Sequence, residues 1–222
     1  MKKYELTEEC IHIYGRKLHR VKALIDFGDV NAGDLGGFIQ AERNLGHSDT
    51  AWVYGNAEVF GDAEVSGDAR VSGNAEVFGN AEVFGNAEVS GDARVSGNAE
   101  VFGNAEVFGN AEVFGDAWVY GNAKVFGNAK VYGDANVYGN AEVYGNAEVY
   151  GDTDIFWASN VGTENGTLTV YKNRDSGLTV TRGCFTGTAE EFLEKSAKVH
   201  NEKTKREYQL LLEVARSRIL GV

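Results

Sequence analysis

The sequence predicts a mainly β protein: a parallel β-solenoid with a small β-rich N-terminal cap and a C-terminal β-hairpin followed by two helices. Three observations predict it. A valine returns every six residues from Val53 to Val149, and the series continues at Ile155 and Val161. Each of those valines has an alanine two places before it, from Ala51 to Ala147. The chain holds 29 glycines and no proline, and the glycines of the repeat all fall at one place in the unit.

The unit reads Gly-(Asn/Asp)-Ala-x-Val-(Phe/Tyr/Ser), first clear at Gly55–Phe60. Side chains of an extended segment alternate between faces, so Ala and Val point one way while x and the aromatic point the other. Gly-Asn turns the corner, because glycine accepts positive φ freely and asparagine tolerates it. An amphipathic helix needs apolar spacings of three and four, which a strict six does not give. A hairpin meander needs longer strands. The remaining solution stacks each short strand on an equivalent strand one turn later. This assigns residues 1–50 to the cap and irregular first coils, 51–161 to the solenoid, and 162–222 to a βα domain.

The repeat resembles the hexapeptide-repeat β-helix family. The resemblance implies three hexapeptides per 18-residue triangular coil, left-handed coiling, Val in the interior and Ala beside it. About six coils at ~4.8 Å spacing would make a rod on the order of 28 Å long. The head Asp26-Phe-Gly-Asp with Gly33-Asp-Leu-Gly-Gly-Phe-Ile39 resembles hexapeptide-repeat proteins of phages and prophages. So does the tail Asn165-Gly-Thr-Leu-Thr-Val-Tyr171 with Gly183-Cys-Phe-Thr-Gly-Thr-Ala-Glu-Glu-Phe192. Those relatives imply an origin and no activity.

At the N-terminus, residues 4–23 read as a hairpin turning near Gly15. Past residue 162, Thr167–Lys172 and Leu178–Arg182 flank Asn173–Gly177, a hairpin with a glycine-containing loop. Thr188-Ala-Glu-Glu191 is a capping box, and helices follow near 189–200 and 204–220. Leu211, Leu212, Ala215 and Ile219 make the apolar stripe of the second.

The net charge is −12, and residues 51–155 alone hold 17 acids and 4 bases, a balance of −13. Nucleic acids and anionic membranes are thereby disfavoured as direct partners, since phosphate binding needs Lys and Arg. Cys10 and Cys184 are read as free thiols, Cys184 as a buried small hydrophobe. No signal peptide and no membrane span is legible, so a cytoplasmic protein is expected.

Catalysis by a hexapeptide β-helix acyltransferase needs a histidine in reach of its acceptor. The four histidines are His12, His19, His47 and His200, none inside the repeat. His47 reads as a surface-loop residue. No catalytic residue, cofactor or metal site is assigned, and the expected function is a non-enzymatic scaffold or interaction protein. The x position is mostly Glu, and the last position of the unit mostly Phe or Tyr. At coil spacing Phe108, Phe126 and Tyr144 share one face, as do Phe114, Tyr132 and Tyr150. These rings, with Trp118, are the candidate interface, for a second copy of the chain or for a host protein. Stacking within the rod is the third reading. A nucleotide held at an oligomer seam is an alternative that would draw on Arg70, Arg94, Lys124 and Lys130. Residues 66–89 and 90–113 are identical. That block is four hexapeptides against three per coil, so its copies land on different faces.

Overall fold

The six-residue period becomes a three-sided coil. In the computed structural model, which describes residues 2–175 and 177–222, each hexapeptide contributes one two-residue strand. These strands run from β4 (Trp52–Val53) to β20 (Glu148–Val149), seventeen in all. Each of the first fourteen pairs in parallel with the strand 18 residues on, as in Trp52↔Arg70, Glu58↔Glu76 and Glu64↔Glu82. The first face of the rod stacks the strands beginning at Glu58, the second those beginning at Trp52, the third those beginning at Glu64. Six such strands stack on each of the first two faces and five on the third.

Alternation decides what is inside. Every Ala and Val of the unit from Ala51 to Val149 is at most 1% exposed. Three backbone hydrogen bonds per unit reach the next coil, for example Glu58 N–H to Ala75 O (2.9 Å), Phe60 N–H to Val77 O (3.0 Å) and Asn74 N–H to Gly91 O (2.8 Å). A two-residue strand has no stability alone; this ladder and the dry Ala/Val interior supply it together.

The corners rest on glycine for two separate reasons. Gly97, like its counterparts, has φ of +73°, where an L-side chain is strained. A Cβ on Gly97 would also lie 2.8 Å from the backbone nitrogen of Gly115 in the next coil. Beside the glycines, the corner amides form ladders along the rod axis. Asn80 Nδ2 donates to Asn98 Oδ1 at 2.9 Å, and Asn98 Nδ2 to Asp116 Oδ1 at 2.8 Å.

The N-terminal edge of the first face is closed by a hairpin, β1 (Tyr4–Ile13) and β2 (Arg16–Ala23), turning through Tyr14 and Gly15 at positive φ. β2 pairs antiparallel with β3 (Leu35–Ile39), and β3 pairs in parallel with Glu58–Val59. Leu35–Ile39 is therefore a regular strand of the first coil, whose irregularity is an offset of 20 residues from the next coil in place of 18. Its two glycines permit this, since a Cβ on Gly36 would stand 2.5 Å from Val53 O and from a Val21 methyl. The buried Lys3 ammonium fastens the cap by donating to Ala51 O (2.7 Å) and to Asp49 O and Oδ1 (both 3.1 Å).

At the far end, Ile155 and Val161 do not continue the coil, although they keep the six-residue spacing. Gly151 is extended at φ −154°, so the corner is not turned; a 3-10 turn at Asp152–Asp154 redirects the chain instead. Ile155 and Val161 bound β21 (Ile155–Val161), the first of four antiparallel strands with β22 (Gly166–Lys172), β23 (Leu178–Arg182) and β24 (Phe185–Gly187). Of the predicted loop Asn173–Gly177, Ser176 lies outside the described residues. α1 (Ala189–Val199) begins with the expected box, Thr188 N–H donating to Glu191 Oε2 at 2.8 Å and Glu191 N–H to Thr188 Oγ1 at 3.2 Å. α2 (Glu202–Leu220) buries Leu212, Ala215 and Ile219 against this sheet. No helix among the described residues is long and apolar enough to cross a membrane.

The last coil leaves its edge groups to side chains of the new sheet. Glu142 N–H donates to Thr169 Oγ1 (3.2 Å), Thr181 Oγ1 donates to Glu142 O (3.2 Å) and the Tyr171 hydroxyl to Tyr144 O (2.9 Å). Ile155 and Tyr171 close the apolar interior itself.

Two glycine substitutions separate the two demands of the corner. Gly145 has φ +70° with nothing within 4 Å of a built Cβ. Gly145→Ala should cost about 1–2 kcal/mol, the backbone strain alone. Gly97→Ala should cost distinctly more, because its Cβ also meets backbone. Urea denaturation of both variants measures the difference; equal costs would deny any role to the axial contact.

Candidate protein-interaction faces

Outside the rod, every unit presents one x side chain and one end-of-unit side chain, and the 18-residue register sorts both into columns. On the first face the x column reads Glu58, Glu76, Arg94, Glu112, Lys130, Glu148; on the second, Trp52, Arg70, Glu88, Glu106, Lys124, Glu142. Each base is paired within the chain: Arg94 with Glu76 (3.3 Å), Lys130 with Glu112 (3.1 Å), Lys124 with Glu106 (2.7 Å) and Arg70 with Asp29 (2.6 Å). The guanidinium of Arg70 also lies 4.9 Å over the Tyr54 ring, and that of Arg94 5.4 Å over Phe78.

The third face differs in kind. Its x column is Glu64, Glu82, Glu100, Trp118, Asn136, with no base. The corner leading into it adds Asp116 and Asp134, which with Glu100 and Trp118 line a shallow hollow. Among the described residues, none of these five carboxylates forms an ion pair. Burial first, and then the charge of Glu82, push the Glu100 carboxyl above its ordinary range.

The rings stack along the rod. Phe108, Phe126 and Tyr144 form one column on the second face, with centroids 4.7 and 4.5 Å apart. Phe114 stacks on Tyr132 at 4.9 Å on the first face, where Tyr150 meets Tyr132 edge-on. Trp118 stands on the third face, edge-on to Phe102. The seven candidate interface residues are therefore divided among all three faces. Nor are they exposed in the measure that the composition suggests, because each ring covers the next. Among the end-of-unit rings of the rod only Tyr138 and Tyr150 are exposed, with Trp118 in the x column. Tyr144 is further tied down, its hydroxyl donating to Phe185 O at 3.0 Å.

The longest ring column is one that the sequence reading left ungrouped. Phe84, Phe102, Tyr120 and Tyr138 stack at 4.9–5.0 Å on the third face, and Trp157 of β21 closes the column edge-on at 4.4 Å. The signal was present, since these four positions are 18 apart. That Trp157 would end the stack was not readable, because it lies outside the repeat.

Two further assignments are settled by position. His47 stacks on Tyr4 (4.2 Å, 13° between planes) against the cap interior. Cys184 is exposed and not buried, because it sits in the turn between β23 and β24. Cys10 is half-buried, and both thiols are free.

The raised Glu100 pKa predicts an inverted pH response. With the folded-state value above the ordinary 4.5, the ionised form is the destabilised one. That penalty is full above the raised pKa and is relieved as pH falls through it toward 4.5. Glu100→Gln should raise the melting temperature at pH 7. Its advantage over the parent should shrink by pH 4.5; a constant advantage would contradict the assignment.

No protein-family model matches the chain, and no curated protein is significantly similar to it.

Proposed function

We propose that this chain is a non-enzymatic interaction scaffold whose third face receives a basic, extended segment of a partner protein. The observation that carries the reading is the contrast between faces. Two faces meet their own bases, while the third sets an unneutralised carboxylate column beside an unbroken ring column. Cationic side chains of an extended strand could pair with Glu82 and Glu100 and lie against Trp118 and the stacked rings. The negative charge of the whole rod would steer such a partner toward it. If the phage-type head and tail reflect its origin, the partner is a host protein in the cytoplasm, and occupation of its basic segment would block it.

A nucleotide held at an oligomer seam is less well supported, because Arg70, Arg94, Lys124 and Lys130 are each engaged with an acid of the same chain. Self-association through the first-face rings has one observation in its favour, the 61% exposure of Tyr150. Light scattering on the parent and on Tyr132→Ser/Tyr150→Ser tests it; an oligomer that the variant dissolves would establish a self-interface there.

The main reading is tested by fluorescence anisotropy with a labelled Lys/Arg-rich peptide at moderate salt. Glu82→Lys/Glu100→Lys should weaken binding at least about tenfold, the loss of two close charge pairs. The charge-matched control Glu112→Lys/Glu148→Lys on the first face should weaken it only slightly. Equal losses would reduce the effect to bulk charge, and no binding by the parent would sink the proposal.

A further inference from the structure

The C-terminal domain contains a cleft of its own, next to the end of the second-face ring column. About 220 Å³ lies between the β21–β22 turn, the β23–β24 turn, the second half of α1 and Tyr208 of α2. Its walls are aromatic: Phe185 stands edge-on to Phe192 at 5.2 Å, and Phe192 edge-on to Tyr208 at 4.9 Å.

Two residues of this lining each hold a buried polar atom without any hydrogen-bond partner. One is the Ser196 hydroxyl, on a residue only 3% exposed; the other is Arg182 Nε. A serine inside a helix ordinarily returns its hydroxyl to the carbonyl four residues back, and Ser196 makes no such bond. Arg182 is held in place by its other end, Nη2 donating to Val161 O at 3.1 Å, which leaves Nε–H unspent. Buried donors without acceptors are rare in folded proteins and call for an explanation.

The charge of the lining narrows the class of molecule that could supply one. Arg182 Nε–H can only donate, and the Ser196 hydroxyl can donate as well. Lys195 adds an ammonium, held 5.2 Å over the Phe185 ring, and Glu164 is the one acid of the lining. Residues 156–222 hold 10 bases and 8 acids, so the field of this domain opposes that of the rod. We infer that the cleft binds a small organic carboxylate with an apolar, ring-sized body. Its oxygens accept from Arg182 and Ser196, and its body lies among Phe185, Phe192 and Tyr208.

Benzoate and its neutral counterpart benzyl alcohol, titrated into the full chain and followed by amide NMR, test this. Benzoate should give saturable shifts confined to residues 182–185 and 192–200, and benzyl alcohol should bind at least about tenfold more weakly. Equal binding of the two would reduce the site to an apolar pocket. Absence of saturation would mean that the cleft takes no carboxylate; either result overturns the inference. Ser196→Ala provides the second arm. Removal of an unsatisfied buried hydroxyl should leave the melting temperature unchanged or raise it, while weakening benzoate at least about fivefold. A lowered melting temperature with binding intact would assign the hydroxyl to the fold alone.

Discussion

The structure depends on the axial contact between glycines one coil apart. At the corners the backbone of Gly97 approaches that of Gly115 so closely that no Cβ fits between them, and the same holds along nearly the whole rod. Only at this approach can the N–H and C=O groups of two-residue strands bond to the next coil. Only in that register do Ala fall over Ala and Val over Val. The left-handed φ of the corner and the closeness of the coils are thus met by the same residue for different reasons.

A stacked coil has two ends, and each leaves polar edge groups and apolar interior to be covered. The chain solves this in two ways. At the start the first face is extended by a strand that pairs in parallel with the coil on one side and antiparallel with a hairpin on the other. At the finish, hydroxyls of Thr169, Tyr171 and Thr181 take the place of the missing coil's backbone. The second solution lets a sheet with a different strand direction abut the rod without leaving the edge unpaired.

The same register that builds the interior organises the surface. Rings become columns whose members shelter each other, which explains how so aromatic a rod keeps few rings exposed. Charges become columns too, and here the 24-residue duplication matters. Because 24 is not a multiple of 18, the two copies of the Gly-Asp-Ala-Arg-Val-Ser unit place Arg70 on the second face and Arg94 on the first. The lysines also fall on those two faces. The third is left acidic by the arithmetic of coil against duplication.

The sequence by itself determined the rod: strict sixfold Val, Ala before it and glycine at one place admit only a coil of short parallel strands. It also determined which rings share a face, and it placed the hairpins and helices of both ends. It could not decide where the coil stops, because Ile155 and Val161 keep the apolar spacing while Gly151 abandons the corner conformation. Nor could it decide how exposed the rings are, that Cys184 lies at the surface, or that Ser196 and Arg182, each with an unpartnered buried polar atom, line one cleft. Periodicity specifies what repeats along one axis. Exposure, edge satisfaction and the meeting of unrelated segments depend on contacts between residues that no period relates, and those only the tertiary structure supplies.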